Sequence, residues 1–257
     1  MALPTLTRQG LESALVAVGV AEGDGLLVHS ALQFLGKPEG GEEIYLDALL
    51  NVIGLGGTIA VPAFNFDFAR GEDFDPQTTP SEGMGVFSEF VRQHPDAQRT
   101  HHPMQSLALI GAQAEDLARR DTPSAFDDGS AFDAMQQKGF KLLLLGADVQ
   151  AASIVHYSEQ RAELPYRYWK DFKGNVRVAG EWQSRSYKMF VRDLEIDPQL
   201  KLAPIQAALQ AKGQWAQEKL NFGHISLCSL ADFVTVTDEL LAKDPWALVG
   251  NRAEIRL

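Results

Sequence analysis

Cysteine is nearly absent: Cys228 is the sole thiol in 257 residues, so neither a disulfide framework nor a cysteine-based zinc site is available. Long apolar runs are missing as well. The longest aliphatic stretch is a handful of residues, and no apolar N-terminal segment follows a basic flank; the chain therefore reads as cytoplasmic, neither secreted nor membrane-spanning. Basic residues are in deficit, 23 Lys and Arg against 34 Asp and Glu, for a net charge of -11. That balance argues against nucleic acid or anionic lipid as a partner, while leaving room for a local basic pocket that holds a phosphorylated ligand. No GxSxG elbow, Walker lysine loop or GxGxxG follows a predicted strand, which removes the strongest signals of α/β serine hydrolases, P-loop enzymes and dinucleotide enzymes. Repeats, low-complexity tracts and linkers are also lacking, so residues 1–257 read as a single domain.

What is present is a hydrophobic fraction of 45%, ample for a buried core. The stretch from Lys141 to Arg161 organises the rest. Leu142 to Leu145, preceded by Phe140 and bounded by Gly139 and Gly146, is too short for a helix and reads as a buried strand. Asp148 and Ser153 are each able to cap the helix that follows, and His156 and Glu159, at i and i+3, share one of its faces. A helix start at the carboxyl end of a buried strand is where open α/β sheets build sites. His156 is thus the first candidate for proton transfer, with a structural histidine bonded to Glu159 as the competing reading.

Upstream, a helix within residues 5–21 capped by Thr7, a strand over Leu26 to Ser30, a helix over Glu42 to Ile53 and a strand over Thr58 to Ala63 give an αβαβ opening and predict helices packed on a largely parallel sheet. The segment from Phe64 to Ser81 is too long and irregular for a simple connection and reads as a substrate-carrying loop. After Leu164 the chain becomes aromatic and alternating, predicting an antiparallel extension of the sheet with its turn at Gly174 to Asn175. Pro204 to Leu220 reads as a helix, Ile225 to Leu230 as a strand and Leu230 to Leu241 as the closing helix.

Four histidines, His29, His101, His102 and His156, border predicted strands and would gather at one sheet edge as an acid/base site or a metal site. No HxxxH or CxxC pair occurs, and the side chains of adjacent His101 and His102 diverge, so no metal is expected.

The ordered motifs His29-Ser30-Ala31-Leu32 with Gly36, Gly57-Thr58 leading to Val61-Pro62, Asp75-Pro76, Thr79-Pro80 with Gly83-Met84-Gly85, Arg99-Thr100-His101-His102-Pro103 with Ser106, Leu143 to Gly146, and His156 with Glu159 resemble the aminoglycoside 3-N-acetyltransferase family, strongly over residues 10 to 165. The resemblance implies a three-layer α/β/α sandwich with a mixed central sheet and an acyl-coenzyme A dependent N-acyltransferase. It implies His156 as general base, with Glu159 orienting it or binding the ammonium form of the substrate. It implies coenzyme binding by His29, Ser30, Ala31, Leu32, Thr79, Gly83, Met84, Gly85 and Ser106, with Asn65, Asp67 and His102 toward the acceptor.

A long acidic insertion after Pro62, which the resemblance associates with antibiotic-modifying members, is lacking here. Tyr166, Arg167 and Lys170, in an aromatic and basic stretch, suit instead a stacked base and a diphosphate. The expected acceptor is therefore a nucleotide-linked amino sugar for surface polysaccharide, with a free aminoglycoside as the alternative. A metal-dependent hydrolase and a catalytically idle sugar-binding relative stand as readings from other classes. Oligomeric state is left open, a homodimer among the options.

Overall fold

The computed structural model of the protein describes residues 4–255. In chain order it contains β1 (Thr5–Leu6), α1 (Arg8–Ala17), β2 (Gly25–Ser30), β3 (Lys37–Pro38), α2 (Glu43–Ile53), β4 (Thr58–Pro62), α3 (Gly85–Gln93), β5 (Gln98–Arg99), β6 (Leu107–Gly111), α4 (Ala114–Ala118), α5 (Ala131–Gln137), β7 (Lys141–Leu145), α6 (Val155–Arg161), β8 (Arg167–Val178), β9 (Glu181–Arg192), α7 (Ala203–Ala211), β10 (Ala216–Leu220), β11 (Gly223–Ser229) and α8 (Leu230–Lys243). The main sheet has seven strands among the described residues, in the order β10-β11-β7-β2-β4-β6-β5. Its centre, β7-β2-β4, is parallel, and the flanking strands pair antiparallel. The αβαβ opening thus supplies β2 and β4 of the parallel centre, within a sheet that is mixed.

Strand alternation makes the layers. Leu26, Val28, Leu143 and Leu145 enter the core shared with α1, α2 and α3. Leu27, Leu142 and Leu144, their neighbours in sequence, enter the core shared with α4 to α8. A strand buried on both faces must be apolar throughout, which is why the run at Leu142 to Leu145 is legible without any alternation.

Several local expectations are corrected. The segment after Pro204 is not one helix: α7 ends at Ala211, Gly213 takes φ +68°, and the chain continues as β10. The hairpin β8–β9 stands as its own two-stranded sheet, while β11 and β10 form the antiparallel extension on the β7 side. Its turn is Ala179-Gly180, both with positive φ, +50° and +84°, as a two-residue hairpin turn requires. Gly174 lies inside β8 instead, opposite Arg185, where a Cβ would meet the Phe68 ring at 2.7 Å. That contact belongs to a small separate core of Phe68, Phe74, Met104, Val176 and Tyr187, which ties the 64–81 loop to the hairpin.

The connections leaving β2, β4 and β7 all start at one end of the sheet. They meet closely: Gly146, at φ +75°, has room only for hydrogen, since a Cβ would sit 2.6 Å from the Ala31 carbonyl oxygen. Asp148 caps the short turn Val149–Ala151 by accepting from the Gln150 N–H at 2.7 Å. Ser153 does not cap α6, whose N-cap is Ile154; its hydroxyl lies 3.3 Å from His29 Nε2 instead.

Candidate active site

α6 carries His156 and Glu159 on one face, and the chain reversal after it, with Glu163 at φ +47°, brings Tyr166 and Arg167 back onto the same carboxylate. Glu159 is fully buried. His156 Nδ1 lies 2.6 Å from Glu159 Oε2, Arg167 Nη2 donates to the same oxygen at 2.8 Å, and the Tyr166 hydroxyl donates to Oε1 at 3.3 Å. Burial alone would raise the Glu159 carboxyl, but the hydrogen bond from His156 and the charges of His156 and Arg167 outweigh it and leave it below the usual carboxylate range. A carboxylate held ionised orients its histidine: Nδ1 carries a proton toward Glu159, which leaves Nε2 as the nitrogen for proton exchange. Arg167 Nη2 also approaches His156 Nδ1 at 3.4 Å; two donors side by side on one carboxylate explain the approach.

His156 keeps 31% of its side chain exposed and opens on a cavity of about 190 Å³. Phe64, Phe66, Phe126 and Phe190 form apolar walls, with Gln105 and Gln160 among the polar groups. Phe126 meets the imidazole edge-on, ring centroids 5.8 Å apart. Gln160 is held by the Ser124 hydroxyl at 2.6 Å and by Asp127 at 2.9 Å. These lining residues carry no sequence signal of their own, apart from Phe64 and Phe66, which flank Asn65 just beyond the end of β4.

The stretch from Ser30 to Leu32 is half-buried, and Gly83 and Gly85 are exposed. The two stretches adjoin, since a Cβ on Gly85 would lie 3.7 Å from the Ser30 carbonyl oxygen. Met84 precedes α3 without a side-chain cap, and the first turn carries no acidic residue, so no side chain offsets the positive end of the helix dipole there. His29 is 7% exposed, with burial pulling it down to about 3.

Other expected binding residues are committed elsewhere. Ser106 is fully buried, donating to the Ala63 carbonyl at 2.8 Å and accepting from Arg99 Nε at 3.0 Å. The Thr79 hydroxyl accepts from the Asp75 N–H. Asn65, 3% exposed, braces the loop by accepting from the Asp67 N–H at 2.8 Å and donating to the Pro80 carbonyl at 3.1 Å. Asp67 pairs with Arg70. His102 accepts at Nδ1 from the Gln105 N–H at 3.1 Å and meets Tyr187 edge-on; burial lowers it to about 4.

The set expected to recognise a nucleotide is not assembled. Tyr166 is fully buried against Trp246 and offers no face to a base. Arg167 is consumed by Glu159, and Lys170 rests over Phe172, 5.4 Å from the ring centroid. A larger groove of about 1030 Å³ runs past Asp75, Arg92, Arg99, Arg119 and Arg177. Its arginines are likewise engaged: Arg177 with Asp75, Arg92 with Glu89, Arg119 with Glu115, and Arg99 with backbone carbonyls. Among the described residues no group of three or more His, Cys, Asp or Glu is disposed to hold a metal ion. Among those residues, too, no helix is long and apolar enough to cross a membrane.

Comparison with known proteins bears on these features. Aminoglycoside N(3)-acetyltransferase III of Salmonella sp is 32% identical over 185 residues, 65% of each chain. Aminoglycoside N(3)-acetyltransferase VII of Streptomyces paromomycinus is 31% identical over 198 residues, 68% of each. The matched region thus spans about two thirds of these relatives, and 65% in the Salmonella case. Among solved structures, one of AAC-IIIb with CoASH superposes with a TM-score of 0.83 at 26% identity, covering 93% of this chain and 97% of that one. The family model described as aminoglycoside 3-N-acetyltransferase matches residues 27–242, and with the sandwich fold already seen, the chain belongs to the aminoglycoside 3-N-acetyltransferase family.

Proposed function

We propose that this protein is an acyl-coenzyme A dependent N-acyltransferase acting on the amine of an amino sugar, with an aminoglycoside-type compound as acceptor. The observation that carries the reading is the His156–Glu159 pair, an imidazole on the wall of a cavity with its Nδ1 on a buried carboxylate. Family membership and the likeness to a structure bearing CoASH support the donor. They favour an aminoglycoside over a nucleotide-linked sugar as acceptor, in line with the buried Tyr166 and the committed Arg167.

In this reading the acceptor amine attacks the thioester carbonyl, His156 Nε2 takes the proton the nitrogen sheds, and Glu159 stabilises the imidazolium. The carbon–sulfur bond then breaks, and the coenzyme leaves as a thiol after receiving a proton. Transfer is direct, because Cys228 is 4% exposed in the core with its thiol pushed up to about 12 by burial, and so supplies no thiolate to carry the acyl group. The half-buried Ser30 to Leu32 stretch and the uncapped start of α3 suit the coenzyme's phosphates.

Thiol release from acetyl-coenzyme A with a panel of aminoglycosides and a nucleotide-linked amino sugar tests the proposal. His156→Ala should lower kcat about 10²- to 10⁴-fold, the usual contribution of a positioned base, without loss of far-UV circular dichroism. Wild-type rates in that variant would remove the base assignment. Turnover of the nucleotide-linked sugar alone would overturn the acceptor class.

A further inference from the structure

The cavity at His156 is open to one side, so an acceptor of several rings extends from it along an outer wall. That wall is the hairpin. In the β8–β9 register Arg167 faces Arg192, Trp169 faces Phe190 and Asp171 faces Lys188, and alternate residues of a strand share a face. Arg167, Phe190 and Arg192 line the cavity, and Met189 and Val191 reach it from the other face of β9. Trp169 is the next outward position on that face. It packs on Phe190 with ring centroids 5.2 Å apart while remaining 41% exposed. The Lys188 ammonium rests over it, 4.3 Å from the ring centroid.

We propose that the exposed face of Trp169 is a second acceptor subsite, which takes an ammonium-bearing second ring of the amino sugar in place of the Lys188 side chain. The inference rests on the acceptor class proposed above. Two residues along a strand advance about 7 Å, roughly the step from one ring of an oligosaccharide to the next, and Trp169 stands that step beyond Arg167, whose Nη2 lies 3.4 Å from His156 Nδ1. An indole face attracts cations, and Lys188 displays that preference within the chain itself. Lys188 is therefore a built-in competitor. Lys170, the lysine that sequence reasoning favoured, stands at an alternate position on the other face, where it rests over Phe172.

Gentamicin, with three rings, and 2-deoxystreptamine, its one-ring core, separate the two subsites. Trp169→Ala should raise KM for gentamicin about tenfold, a typical loss for a cation–aromatic contact with its ring packing. It should leave kcat, KM for acetyl-coenzyme A and KM for 2-deoxystreptamine unchanged, and Trp169→Phe should restore most of the loss. Lys188→Met should lower KM for gentamicin several-fold. Equal effects of Trp169→Ala on both acceptors, or a gentamicin KM unchanged in Trp169→Ala or not lowered in Lys188→Met, would overturn the subsite. Calorimetric binding of gentamicin separates this inference from the reaction. Binding weakened by Trp169→Ala in a protein that acetylates nothing would keep the subsite and remove the activity; binding equal to wild type would remove the subsite.

Discussion

Glu159 holds three donors on two oxygens at zero exposure, so its charge is fixed and its geometry is fixed with it. Arg167 is 8% exposed in its side chain and has that carboxylate as its charge partner, which makes the two residues one energetic unit. Removing one member of a buried ion pair leaves the other uncompensated, at a cost of about 3 to 5 kcal/mol. Glu159→Gln should accordingly unfold at lower denaturant as well as lose activity, whereas Glu159→Gln with Arg167→Met should regain most of the stability and none of the rate. Urea titrations of the single and double variants check this, and a double variant no more stable than Glu159→Gln would contradict it. The His156–Glu159 pair was legible in the sequence because helical spacing is local. The roles of Tyr166 and Arg167 were not. Their composition suggests a binding surface, and only the reversal at Glu163 turns them inward onto a carboxylate. Ser106 and Asn65 share that ambiguity, since a hydroxyl or amide that braces a loop looks in sequence like one that holds a ligand.

At the scale of elements, the strands buried on both faces and the first helix with its capping residue were readable: Thr7 accepts from the Gly10 N–H. The hairpin was readable in kind and misplaced in register, because Gly174-Asn175 resembles a turn signal more than Ala179-Gly180 does. Long-range packing on Phe68 decided the matter. The difference has a consequence for stability. Ala179 adopts φ +50°, a conformation that costs a residue with a Cβ about 1 to 2 kcal/mol. Ala179→Asn, which creates the preferred turn pair, should stabilise the protein by roughly 0.5 to 1 kcal/mol, comparable to other strain-relieving turn substitutions. Gly174→Ala should act in the opposite sense, since its Cβ would enter the Phe68 ring and overpacking costs about 1 to 3 kcal/mol. Paired melting curves would show the two shifts; a melting temperature raised by Gly174→Ala would put the strain elsewhere.

Across the whole molecule, the βα alternation disclosed the parallel centre, while the order of the antiparallel flanks, β6-β5 on one side and β11-β10 on the other, depends on pairings far apart in sequence that no local pattern encodes. The same packing that closes the sheet buries two histidines on neutral hydrogen bonds. His29 Nε2 accepts from the Ser153 N–H at 3.4 Å, and His102 Nδ1 accepts from the Gln105 N–H at 3.1 Å. Burial lowers them to about 3 and about 4, against about 6.5 in an unfolded chain. Between those limits the unfolded state binds more protons than the folded one, so stability rises with pH across the window and is flat above it. Each histidine contributes a slope approaching 1.4 kcal/mol per pH unit as acid is added below pH ~6.5. The lowered carboxyls of Glu159 and Glu89, the latter at about 2 through the hydrogen bond from Arg92, lose their contributions only below the unfolded carboxyl value near pH ~4.3. The interval from pH ~6.5 to ~4.5 therefore isolates the histidines. Unfolding free energies at steps across it should fall steadily with acid, and His29→Gln and His102→Asn, which keep an acceptor at Nε2 and Nδ1 respectively, should each remove about half of the slope. A stability that stays level over that interval in the wild-type protein would mean that neither imidazole is held neutral by the fold.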